Sequence, residues 1–94
     1  MSLESIHAES RRRALVDVLA EAQDYEEYEA VLTALIGEMR LQASAVRADL
    51  PWLEANGLAL LSGPVYNRRA KLTALGLDAA RGLVRVHGLG RKID

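Results

Sequence analysis

Arg47 and the run Arg68, Arg69, Lys71 carry the most pointed chemistry in this chain. A guanidinium can pair bidentately with the major-groove edge of guanine, whereas clustered cations hold phosphates without reading sequence. Ser44, Arg47, Ala48 and Pro51 follow i, i+3, i+4, i+7 spacing, so a helix would place them on one face. On that face Arg47 is the one strong base reader. Ser44 could donate to a phosphate or a base, and Ala48 and Pro51 offer apolar contact, for example to a thymine methyl. Arg68, Arg69 and Lys71 fall at and after a predicted hairpin tip, where phosphate contacts would lie, and Tyr66 at the tip could stack or hydrogen-bond at the backbone. The plainer alternative for these cations is protection of a sheet edge against aggregation.

The elements that must position these residues follow from hydrophobic spacing. A first helix is predicted from about Ser2 to Ala22, with Leu3, Ile6, Leu15, Val18, Leu19 and Ala22 as its apolar stripe. Arg11, Arg12 and Arg13 interrupt the stripe and read as a solvated patch, with contact to phosphate or a partner chain as the sharper alternative. Asp24 with Glu27 resembles a capping box, and opens a second helix with Tyr28, Val31, Leu32, Leu35, Ile36 and Met39 on its buried face. Glu26, Glu27 and Glu29 then suit its N-terminal dipole.

Ser44 is read as the N-cap of a third helix whose inward positions are Val46, Leu50 and Leu53, stopped by Asn56-Gly57. Pro51 leaves two options: a kinked helix, at an ideal cost of ~3 kcal/mol, or a fresh helical start capped by Asp49. "LALL" and "RRAKLT" read as two strands around the turn residues of "SGPVYN", with Ala70 and Leu72 facing inward. Thr73 caps a short last helix. The tail after Gly82 reads as an extended arm, which divides the chain into a domain at 1–82 and an arm at 83–94. The expected architecture is α+β: a winged helix-turn-helix of three helices, a two-stranded wing, a short C-terminal helix and an extended tail.

Composition bounds the function classes. Ninety-four residues support one modest core, which must be aliphatic because Phe is absent. No cysteine is present, so disulfides and thiolate metal sites are excluded. The apolar runs are far shorter than the ~20 residues of a membrane span, and the basic cluster follows a polar segment rather than preceding an apolar one. A cytoplasmic location without membrane partners is expected. Charge is divided along the chain: residues 1–39 hold nine carboxylates against Arg11, Arg12 and Arg13, while residues 40–94 hold nine cations against four carboxylates. A basic half of this kind can face a polyanion, or be a merely solvated surface.

The pattern "RRRALVDVLAEA…VRADLPWLEANGL…KLTALGLDAARG" resembles the small winged-helix proteins of Mu-like bacteriophages and prophages, often labelled ArsR-like regulators. It spans nearly the whole chain, through Arg12, Arg13 and Leu15, then Val46–Leu58, then Leu72–Gly82. The resemblance implies a winged-helix fold, DNA binding and a phage or prophage origin. Metal sensing by paired cysteines does not carry over, and His7 and His87, far apart in sequence, read as surface or packed residues rather than ligands. No cofactor is implied.

No Ser/His/Asp grouping, HExxH or phosphate loop occurs, so no enzyme is expected. The leading expectation is a homodimeric regulator of transcription that binds double-stranded DNA, with Leu3, Ile6, Val84 and Val86 forming the dimer contact. The alternative is a protein-binding module, serving a host regulator or phage replication.

Overall fold

The computed structural model describes residues 2–92. Four helices and three strands follow one another as α1 (Leu3–Glu21), β1 (Glu26–Tyr28), α2 (Glu29–Glu38), α3 (Val46–Ala55), β2 (Ala59–Ser62), β3 (Arg69–Leu72) and α4 (Ala74–Ala80). The fold is α+β, with an antiparallel sheet ordered β1-β3-β2. The sheet therefore has three strands rather than two. Its central strand, β3, pairs Glu26 with Lys71 and Tyr28 with Arg69 on one side, and Leu60 with Lys71 and Ser62 with Arg69 on the other.

Ser2 caps α1 by accepting from the Ser5 amide at 3.1 Å. The expected capping box at Asp24 does not form. Asp24 and Tyr25 have φ of 57° and 59°, a left-handed pair that reverses the chain instead of the extended geometry an N-cap needs. Glu26 and Glu27 consequently lie in β1, and α2 begins at Glu29. Its free amides are satisfied from across the sheet, Glu29 by the Arg68 carbonyl at 2.7 Å and Ala30 by Asn67 Oδ1 at 3.1 Å.

The core is aliphatic, as composition requires. Leu15, Val16 and Leu19 of α1, Leu32 and Ile36 of α2, and Val46, Leu50 and Leu53 of α3 are fully buried. Leu58, Ala59, Ala70 and Leu72 close it from the sheet. Ala70 and Leu72 face inward as expected. The predicted inner face of α2 is narrower than its apolar residues suggest, because Tyr28, Val31, Leu35 and Met39 remain exposed. Gly57, at φ 74°, ends α3 in the left-handed region. Thr73 caps α4 by accepting from the Gly76 amide at 3.0 Å.

Arg11, Arg12 and Arg13 do not form a solvated patch. Arg11 and Arg13 are buried. Arg13 donates to the Ala79 carbonyl at 3.0 Å, which also accepts from the Gly82 amide at the C-terminus of α4, and to the Gly90 carbonyl at 2.7 Å. Arg12 reaches the Gly88 carbonyl at 3.1 Å.

These bonds fold the segment after Gly82 back along α1 instead of leaving it as an extended arm. The Gly90 amide donates to the Glu9 carbonyl at 3.0 Å, Leu89 is buried, and Val84 and Val86 pack against the core. A Cβ at Gly90 would lie 2.8 Å from the Glu9 carbonyl oxygen, so the close approach of tail and helix needs glycine there. Residues 93–94 of the expected arm lie outside the described residues.

Candidate nucleic-acid interface

Val46, Leu50 and Leu53 anchor α3 in the core, which turns its opposite face outward. Arg47, Ala48 and Pro51 are exposed on that face, and Ser44 is exposed just ahead of it. Ser44 is not the helix cap. It sits in a 3-10 turn at Ala43–Ala45, and α3 starts after Ala45 with no side-chain cap. The helix then continues through Pro51 without a fresh start.

Pro51 removes the amide that would have bonded the Arg47 carbonyl, and that carbonyl instead accepts from Arg68 Nη2 at 3.2 Å. Nor does Asp49 cap a new turn: its carboxylate is only 2% exposed and points at α1.

Asp49 fixes the angle of α3. Arg11 grips it with two nitrogens, Nε on Oδ2 and Nη2 on Oδ1, the latter at 3.0 Å. Arg12 Nε stands 3.5 Å from Oδ1, and Gln42 Oε1 accepts from Arg11 Nη1 at 3.1 Å. Arg12 also lies over the Trp52 ring, 4.2 Å from its centroid, a cation–π contact between α1 and α3. Sequence spacing gave no sign of this arrangement, since the two ends of the Arg11–Asp49 pair are 38 residues apart.

The hairpin stands beside the outward face of α3. Arg47 donates through Nη2 to the Val65 carbonyl at 3.1 Å, so helix and hairpin tip share one surface. Val65 and Tyr66 project from the tip, with Tyr66 82% exposed. Arg68 behaves differently from the expected phosphate contact. Its side chain is only 18% exposed and reaches Glu29 Oε1 at 3.4 Å, while Arg47 Nε holds Oε2 of the same carboxylate at 3.2 Å. Glu29, buried and shared by two guanidiniums, organises the site. Its sequence position at a helix start suggested only a dipole contact.

Arg69 lies over the Tyr28 ring and donates to its hydroxyl at 2.6 Å, with Glu26 at 3.9 Å. That hydrogen bond to Tyr28, together with the nearby Glu26 carboxylate, pushes the guanidinium above its ordinary pKa. Lys71 is exposed and makes no ion pair with a described residue. Because Arg69 and Lys71 sit on the central strand, they protect no sheet edge. The surface around α3 is thus less positive than its residue list suggests: Glu29 offsets part of Arg47 and Arg68, and Glu26 part of Arg69.

Of the expected dimer positions, Leu3 and Ile6 project from α1 into solvent, whereas Val84 and Val86 are half-buried against their own chain. His7 and His87 are both exposed, and no three metal-ligating side chains cluster among the described residues. Among the same residues no helix is long and apolar enough to cross a membrane. No known protein family, curated protein or solved structure matches the chain.

Proposed function

We propose that this protein is a winged helix-turn-helix DNA binder that regulates transcription, with α3 as the recognition helix and the β2–β3 hairpin as the wing. The observation that carries this reading is the Arg47–Val65 contact, which makes the exposed face of α3 continuous with the hairpin tip. The order helix, strand, helix, helix, hairpin supports it, as does the three-point anchoring of α3 through Val46, Leu50 and Leu53. In this reading Ser44, Arg47, Ala48 and Pro51 meet the major groove. Tyr66, Arg69 and Lys71 meet the flanking backbone, and Arg68 acts mainly by bracing helix to wing.

Arg47 gives up its contacts to Glu29 and Val65 when it reads a base, which costs affinity and leaves sequence preference modest. A homodimer would compensate by doubling the contacts, and of the four positions expected to form it Leu3 and Ile6 are the exposed ones. The phage or prophage origin rests on the resemblance in sequence alone.

The test is fluorescence anisotropy with random duplexes and with DNA flanking the coding gene, titrated across salt. Binding with a steep salt slope and at least about tenfold preference for one flanking duplex, equivalent to ~1.4 kcal/mol, is expected. Absence of binding at low salt overturns the proposal. A second reading, a protein-binding module of the same fold, is favoured by one observation: Val31, Leu35 and Met39 form an exposed apolar stripe along α2.

A further inference from the structure

The twelve cations fall into three sets, one of them being Arg40 and Lys71, which are exposed and have no side-chain partner among the described residues. Arg11, Arg12, Arg13, Arg47, Arg68 and Arg69 are all tied to carboxylates. Arg81, Arg85, Arg91 and Lys92 make no ion pair or side-chain hydrogen bond with any described residue, yet all four line one cleft of about 580 Å³ between the C-terminal segment and α1. Like charges converging on one concavity repel each other and raise its potential, which destabilises the empty site. The fold nevertheless holds the segment that carries them in place through Arg13, Gly90 and Leu89. Lys92 is drawn in as well, its stem close enough that a Cβ at Gly82 would lie 3.3 Å from its Cδ. Glu9 is the one carboxylate in the lining, and its own backbone carbonyl is occupied by the Gly90 amide.

From this geometry we infer that the cleft binds a compact, multiply charged phosphate anion of the triphosphate class. Three guanidiniums and an ammonium supply the forked and point-charge donors that phosphate oxygens accept. The volume falls in the range of small-ligand sites and would be ample for a triphosphate chain. A concave site also suits a compact ion better than the convex backbone of a duplex. The inference stands apart from the DNA reading, because it uses none of the residues assigned to α3 or the wing.

Titration calorimetry with inorganic triphosphate at low ionic strength tests it, using wild-type protein, Arg81→Gln/Arg85→Gln and Lys71→Gln. Melting curves establish that each variant is folded, and all three replaced side chains are exposed, so folding should persist. Saturable one-to-one binding is expected, weakened about tenfold or more by the double substitution and unchanged by Lys71→Gln. Orthophosphate should bind more weakly than triphosphate.

No saturable binding overturns the inference, and so does equal weakening in both variants, which would mean attraction to overall charge. A duplex titrated in parallel separates the sources of phosphate. If the double substitution abolishes duplex binding while triphosphate never saturates, the cleft holds DNA backbone and the small-anion assignment fails.

Discussion

Asp49→Ala isolates the contact that sets the angle of α3. The carboxylate is 2% exposed and meets Arg11, itself buried, through two nitrogens, with Arg12 Nε at 3.5 Å. Removing it strands one buried guanidinium whose remaining side-chain partner is Gln42, and leaves a second without its nearest counter-charge. Breaking a buried pair from one side costs ~3–5 kcal/mol, because the surviving charge stays desolvated. A domain of this size has about 5–15 kcal/mol in total.

A loss of ~4 kcal/mol would lower Tm by roughly 15–30 °C at ~4–8 °C per kcal/mol. Urea unfolding followed by the fluorescence of Trp52, the single tryptophan, reads both the loss and the state of the Arg12–Trp52 contact. Asp17→Ala is the control. That carboxylate is 44% exposed and pairs with Arg13 at 3.4 Å, so its removal should cost no more than ~1 kcal/mol. If Asp49→Ala costs less than about 1 kcal/mol, the buried network does not hold α3 and the reasoning fails.

Gly90→Ala should release the C-terminal segment, since the new methyl meets the Glu9 carbonyl oxygen at 2.8 Å. A loss of ~1–3 kcal/mol and faster proteolysis beyond Gly82 are expected. Glu29→Gln frees Arg47 and Arg68 from a shared carboxylate. It should lower stability yet strengthen DNA binding at low salt, with a salt slope steeper by about one per cation released, read by anisotropy. Pro51→Ala restores the missing helical donor to the Arg47 carbonyl. It should raise stability by ~1–2 kcal/mol in urea melts, less than the ideal ~3 because Arg68 already occupies that carbonyl.

What the sequence disclosed was local. The inward stripe of α3, the inward positions of β3 and the Thr73 cap follow from neighbours a few residues apart, and each stands where spacing put it. Strand β1 escaped notice because three residues make no readable alternation, and Glu26-Glu27 looks like a helix start until its partners on β3, over forty residues away, are known. The burial of Arg11 and Arg13 was hidden for a similar reason. A guanidinium is buried only when its acceptors are known, and these are Asp49 and backbone carbonyls at the far end of the chain. Side-chain type foretells nothing about a carbonyl acceptor, so the docking of the tail was invisible too. Arg47 and Arg68 could be singled out from their positions in the sequence, but the carboxylate that binds both of them, Glu29, required the tertiary fold.

Amide chemical-shift mapping of the isotopically labelled protein with a short duplex tests the central claim most directly, because it shows which surface meets DNA. The account predicts perturbations concentrated at residues 44–48 on α3 and 65–71 on the hairpin, fading as salt rises. Perturbations confined to the Val31–Leu35–Met39 stripe or to the C-terminal cleft, or none at low salt, would contradict it.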